Sequence, residues 1–199
     1  MTTHELVVMG ASWGGLAALG LVLSGLPRDF GAAIAIAQHR GVEPGDAVLA
    51  DALARKSALP VREVHDKDPI VPGWVHLAPS DYHLLVEREG TFALSTDPRE
   101  QYSRPSIDVL FESAADAYAS RVVGVILTGA NPDGAAGLAR IRRRGGFAVV
   151  QDPATADRAA MPEAAMARAG ADEVVALSEI APLLTRLCGR VPATEQARP

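Results

Sequence analysis

A serine, a histidine and an aspartate each stand at the end of an apolar run in this 199-residue chain, and together they have the composition of an acyl-transfer triad. Ser12 lies in Gly10-Ala11-Ser12-Trp13-Gly14, a G-x-S-x-G pattern directly after Leu6-Val7-Val8-Met9. Such a pattern marks a sharp strand-to-helix turn that exposes a hydroxyl. The hydroxyl is a poor nucleophile until a base takes its proton and N–H groups receive the developing oxyanion. His39, in Gln38-His39 after a second apolar run, is the candidate base, and Asp133, in Asn131-Pro132-Asp133-Gly134 after the run ending at Thr128, is the candidate acid. In these roles His39 deprotonates Ser12 and later protonates the leaving group, while Asp133 fixes the imidazole tautomer. His4, His65, His76 and His83 do not follow runs that read as parallel core strands; His83 comes nearest, in a turn-flanked hairpin.

Rival chemistries fit the residues less well. The spacing of Gly10, Gly14 and Gly15 does not give G-x-G-x-x-G, no acidic residue closes the second run, and no P-loop lysine follows, so a dinucleotide or phosphate cofactor is not expected. No pair of histidines or carboxylates has metal-ligand spacing on one element, so no metal is expected either. The single cysteine, Cys188, precludes an internal disulfide framework and reads as structural. A net charge of −5 argues against a nucleic-acid partner, and the one basic cluster, Arg140 to Arg144, reads as a solvated helix face. No apolar run reaches membrane-spanning length and the N-terminus lacks a basic leader, so the expectation is a cytoplasmic protein without membrane insertion.

The elements that must position the three residues alternate along the chain. Strand-like Leu6–Gly10, Ala32–Ala37, Val122–Thr128, Phe147–Gln151 and Glu173–Ala176 are followed by helix-like Leu16–Leu23, Asp46–Arg55, Ala135–Arg143, Glu163–Ala169 and Ile180–Leu187. Runs such as Val122-Val123-Gly124-Val125-Ile126-Leu127 are apolar continuously, as strands covered on both faces require. The expected fold is α/β, a doubly wound and mainly parallel sheet with helices on both faces. Val75–Ala78, Tyr82–Glu87 and Thr91–Ser95, joined by tight turns, are read as a short antiparallel hairpin excursion, and Thr96 to Pro105 as a surface loop. One catalytic domain over residues 1–189 and a flexible tail over 190–199 are expected. In such sheets ligands bind beyond the carboxyl ends of the strands, where Ser12, His39 and Asp133 all fall.

Six pieces in order resemble the catalytic domain of the chemotaxis receptor methylesterases of the CheB type. They are Met9 to Gly15 with Leu26-Pro27, Gln38-His39, Leu77 to His83, Arg104 to Phe111, Val125 to Gly129 with Asp133 to Leu138, and Gln151 with Met161-Pro162. The resemblance implies demethylation of glutamate methyl esters on receptor signalling helices with release of methanol, Ser12 being the nucleophile, His39 the base and Asp133 the acid. It also places Arg104 beside the site and the oxyanion donors on Trp13 and the segment after Thr128. Trp13 stands where the family usually has a small hydroxylated residue, and Gly129-Ala130-Asn131-Pro132 where it usually reads Gly-Met-Gly-x, so Trp13, Ala130, Asn131 and Arg104 form the expected oxyanion and substrate loop. The implied partners are methylated chemoreceptor helices; the family's typical N-terminal receiver domain is not found in these residues, so the expectation is a domain unregulated by that route, one regulated by a separate receiver-domain or other protein, or a fragment of a longer protein. A receptor glutamine deamidase, an esterase with a shifted substrate, and a non-catalytic receptor-binding adaptor are the alternatives.

Overall fold

Strands that are apolar without alternation must be covered on both sides. Leu6–Ala11 (β1) and Ala33–Gln38 (β2) accordingly have every residue buried. The computed structural model describes residues 4–39 and 47–190. After β1 comes Gly15–Ser24 (α1), and after β2 come Ala47–Ala54 (α2), Val61–Glu63 (β3) and Val75–Leu77 (β4). His83–Val86 (β5), Phe92–Ser95 (β6) and Ile107–Tyr118 (α3) lead to Val122–Ile126 (β7) and Ala135–Arg143 (α4). Phe147–Gln151 (β8), Ala160–Ala169 (α5), Glu173–Val175 (β9) and Leu177–Cys188 (α6) complete the order.

Seven strands form one sheet in the order β3-β4-β2-β1-β7-β8-β9, and every pairing within it is parallel. Alternate side chains feed two cores. Val7, Met9, Ile34, Ile36 and Val125 pack with Leu19 and Leu23 of α1 and Ile180 and Leu184 of α6. Leu6, Val8, Ala35 and Ile126 pack on the opposite face with Leu110 and Phe111 of α3 and Leu138 and Ile141 of α4. The chain winds outward from β1 in both directions, through β2 on one side and β7 on the other. That reversal opens a crevice at the carboxyl ends of β1, β2 and β7, where a doubly wound sheet places its ligand site.

The antiparallel excursion is smaller than its sequence suggests. Val75–Leu77 is a parallel strand of the main sheet, between β2 and β3, and only β5 and β6 form the separate hairpin. A three-residue strand interrupted by His76 carries too little pattern to declare its partner. The strand-helix alternation also leaves β3 and α3 unassigned. For α3 the signal exists: Ser106 caps the helix and Ile107, Leu110, Phe111, Ala114 and Ala115 recur on one buried face. The predicted helix start at Asp46 and tail residues 191–199 lie outside the described residues; Arg190 makes an antiparallel bridge to Phe30. In the basic cluster, Arg140 and Arg144 both bond Asp116, and Arg142 bonds Asp172. Burial pushes the Cys188 thiol up to about 12, which keeps it protonated and inert.

His76 carries a pH-dependent part of the stability. Its Nδ1 bonds the Ile34 carbonyl at 3.1 Å, its Nε2 is buried without a partner, and its ring lies 5.0 Å from that of Phe92. Burial, only partly opposed by the Ile34 bond, pushes its pKa down to about 4 from 6.5. The unfolded chain therefore binds this proton more tightly, so the stability is full above pH 6.5 and declines as pH falls toward 4. A decline on the order of 3 kcal/mol is expected from this group at about 1.4 kcal/mol per unit. Urea unfolding at pH 7 and pH 4.5 checks it: His76→Gln, which keeps a donor for Ile34, is expected to lose less stability between the two than wild type. Equal losses would remove His76 from the account.

Candidate active site

The last paired residues of β1 and β2 are Ala11 and Gln38, so Ser12 and His39 are the first residues beyond two adjacent parallel strands. The His39 N–H donates to the Ala11 carbonyl at 2.9 Å, which carries the ladder one step further. Gln38 then locks the two together. Its Nε2 donates to the Ser12 carbonyl at 2.8 Å and to the His39 carbonyl at 3.0 Å. The elbow at Ser12 is closed by Gly15 N–H donating to the Ser12 carbonyl at 2.9 Å and by Ser12 N–H donating to the Thr128 carbonyl at 3.0 Å, beyond the end of β7. Gly14 takes φ 78, and an added Cβ would come within 2.3 Å of the Asp157 carboxylate, so only glycine fits this turn.

Asp133 is fully buried, and each of its oxygens accepts two bonds. Oδ2 accepts from His39 Nε2 at 2.7 Å and from the Ile107 N–H at 2.7 Å. Oδ1 accepts from Ser106 Oγ at 3.0 Å and the Asp108 N–H at 2.9 Å. The carboxylate thus occupies the N-terminus of α3, where free N–H groups and the helix dipole favour an anion. Burial alone raises its pKa, but the bonds from His39, Asp108 and Ile107 outweigh that and hold it below the usual carboxylate range. Asp108 returns the arrangement by capping α4 through the Gly137 N–H at 2.7 Å. Burial, with the Asp133 charge adding to it, pushes Asp108 up to about 6.

A carboxylate only accepts, so His39 Nε2 carries the hydrogen in this pair and Nδ1 is the basic nitrogen. Nδ1 faces Ser103 Oγ at 3.4 Å and Asn131 Nδ2 at 3.5 Å. The structure therefore brings His39, Asp133 and Asn131 together and sets Ser12 beside them in strand register. Among the described residues the Ser12 hydroxyl makes no hydrogen bond, an open arrangement familiar from empty hydrolase sites.

The other expected site residues fall as follows. The Trp13 carbonyl accepts from Thr128 Oγ1 at 2.9 Å, and the residue is 65% exposed rather than folded into the core. The Trp13 N–H has no acceptor among the described residues, nor do those of Ala130 and Asn131, whereas the Gly129 N–H is engaged by the Arg158 carbonyl at 3.1 Å. Donors for an oxyanion are thus available at Trp13 and at Ala130 and Asn131. Arg104 spends its guanidinium on the loop itself, bonding Asp81 at 2.9 Å and the carbonyls of Thr96 and Asp97 at 2.7 and 3.0 Å. It shapes the loop that carries Ser103.

Two supporting residues have no signal in the strand-end pattern. His83 accepts the Ser106 N–H on Nδ1 at 3.2 Å, which leaves Nε2 to donate to the Pro98 carbonyl at 3.0 Å. It stands behind Ser106, which in turn bonds Asp133. Ser103 reaches His39 only because the Thr96-to-Pro105 loop folds back, a contact across 64 positions that no local pattern reveals.

This geometry has relatives. Residues 7–184 match the family model described as CheB methylesterase. The chain belongs to the CheB methylesterase family. A relative in Leptospira interrogans is 45% identical over 184 residues, covering 92% of this chain and 95% of its own length. A Pseudomonas aeruginosa protein named protein-glutamate methylesterase/protein-glutamine glutaminase 3 is 42% identical over 184 residues, and the chain spans only 55% of it. The crystal structure of the Thermotoga maritima CheB methylesterase catalytic domain superposes with a TM-score of 0.88 at 32% identity, covering 93% of this chain and 99% of that one. The fold of this chain thus matches that of a CheB catalytic domain.

Proposed function

We propose that this CheB-family chain is a serine hydrolase that demethylates glutamate γ-methyl esters on chemoreceptor signalling helices, acting in the cytoplasm. The observation that carries it is the 2.7 Å bond between His39 Nε2 and the buried Asp133, one strand away from the Ser12 elbow. Ser12 Oγ attacks the ester carbonyl while His39 Nδ1 takes its proton, and Asp133 stabilises the imidazolium through Nε2. The oxyanion is received by the N–H groups of Trp13 and of Ala130 or Asn131, at roughly 3 kcal/mol for each well-placed donor. Methanol leaves with the proton from His39. Water then gives a proton to His39 and attacks the acyl-Ser12, releasing the glutamate carboxylate and regenerating the serine. Regulation by a receiver-domain protein or another regulator belongs to the same reading.

A second reading shares the site. The Pseudomonas relative's name includes protein-glutamine glutaminase, and an amide in place of the ester gives ammonia by the same steps. Assaying a methylated and an amidated receptor signalling domain for methanol and ammonia separates the two. Methanol release by the purified chain supports the proposal. Ammonia without methanol supports deamidation, and neither product, with Ser12→Ala matching wild type on small esters as well, supports the adaptor alternative.

Gln38 supplies another expected result. Gln38→Met keeps the length of the side chain but removes both donors that join Ser12 and His39. With the part-buried His39 carbonyl left unpaired and the Ser12 carbonyl keeping only the Gly15 N–H, a stability loss of about 1–2 kcal/mol is expected. Because misplacing a nucleophile by a fraction of an ångström is costly, a kcat about 10- to 100-fold lower with nearly unchanged KM is expected as well. A changed KM with unchanged kcat would show that Gln38 serves binding instead.

A further inference from the structure

We propose that Trp13 and Arg158 form a subsite beside Ser12 that takes a carboxylate side chain of the polypeptide carrying the scissile group; this rests on the hydrolase reading above. The Arg158 guanidinium lies over the Trp13 ring, 5.5 Å from its centroid, and both side chains are exposed. Exposed arginine side chains sample many rotamers, but Arg158 has its backbone held on both sides. Its backbone N–H donates to Thr128 Oγ1 at 2.9 Å and its carbonyl accepts from the Gly129 N–H at 3.1 Å. The same Thr128 hydroxyl donates to the Trp13 carbonyl at 2.9 Å, and the Thr128 carbonyl accepts the Ser12 N–H at 3.0 Å. Gln151 holds this threonine from behind by accepting its N–H at 2.9 Å. One buried residue therefore ties together the backbones that carry the Ser12 hydroxyl, the indole and the guanidinium.

Charge chooses the occupant. Among the described residues Arg158 makes no ion pair, whereas Arg99, Arg104, Arg121, Arg140, Arg142 and Arg144 each face a carboxylate. The adjacent acid, Asp157, turns toward Gly14 and makes no pair with Arg158. A guanidinium stacked on an indole keeps its edge N–H groups free, and that planar edge matches the two oxygens of a carboxylate. The residue after the nucleophile is here an aromatic, which supplies the platform that a small hydroxylated residue lacks.

The test uses two helical peptides, each with one glutamate γ-methyl ester, and with either Glu or Gln four residues away, so that the two groups share a helix face. Wild type is expected to show a kcat/KM about tenfold higher for the Glu peptide, expressed in KM and shrinking with added salt. Arg158→Gln is expected to bring the ratio to one, Arg158→Lys to retain part of it, and Trp13→Thr to reduce it. Fluorescence polarisation with the Ser12→Ala protein reads the same preference without turnover. Equal or undetectable affinity for the two peptides, or a preference that survives Arg158→Gln, would overturn the subsite. A binding preference without methanol from either peptide would overturn the hydrolase reading and leave the subsite standing.

Discussion

Ser12→Ala is expected to reduce methanol release from a methylated receptor by on the order of 10⁴-fold or more, leaving only the background that oriented binding provides. The same substitution should hardly move the unfolding midpoint. The elbow is held by the Ser12 backbone, through the Thr128 carbonyl, the Gly15 N–H and Gln38 Nε2, while the hydroxyl makes no hydrogen bond with a described residue. A change within about 0.5 kcal/mol is expected for removing such a group. Loss of turnover with an intact fold assigns the chemistry to the hydroxyl. If turnover survives in Ser12→Ala, Ser12 is not the nucleophile, and the strand-end argument loses its first member.

Asp133→Asn is expected to fail in two ways at once. Catalysis should drop by on the order of 10⁴-fold, because an amide nitrogen toward His39 Nε2 favours the wrong tautomer and an amide oxygen there cannot stabilise imidazolium. Stability should fall too, by about 3–5 kcal/mol, the usual cost of breaking a buried charged network from one side. All four partners of the carboxylate are donors, so an asparagine can satisfy only those on its oxygen, and its NH₂ meets N–H or O–H groups. The wild-type advantage is largest above the ordinary aspartate pKa of 3.8 and disappears as pH falls through the depressed folded-state value. Chemical unfolding at pH 7, alongside kcat, reads both effects. A variant that loses activity but keeps full stability would show that Asp133 does not anchor α3.

The reason for this double role explains what could and could not be read from the residues in order. Ser12, His39 and Asp133 follow continuous apolar runs, and continuous runs declare parallel strands whose carboxyl ends share one edge. That edge was legible. What the pattern does not contain is the exchange between α3 and α4, in which Asp133 caps one helix and Asp108 the other. Capping of this kind depends on two helices meeting across the second core, and nothing local to either aspartate announces it. The amphipathic face of α3 itself was readable from Ile107, Leu110, Phe111 and Ala114 after Ser106. The parallel pairing of Val75–Leu77 was not, since a strand of three residues takes its direction from its neighbours.

The site also shows why sequence alone leaves the nucleophile to be proved. A hydroxyl within hydrogen-bond reach of the basic nitrogen of His39 belongs to Ser103, at 3.4 Å, on the loop that Arg104 and His83 hold in place. Ser103 lies on neither a strand end nor an elbow. In this account it is a hydrogen-bond donor that holds the imidazole in the resting site, giving way when Ser12 turns toward Nδ1 with substrate bound.

Covalent labelling distinguishes the two serines most directly. After treatment with a fluorophosphonate, which reacts with an activated serine and stays attached, peptide mapping by mass spectrometry is expected to place one adduct on Ser12 in wild type. The adduct should be lost in His39→Ala and in Ser12→Ala and retained in Ser103→Ala. An adduct on Ser103, or labelling of Ser12 that is indifferent to His39, would contradict the triad.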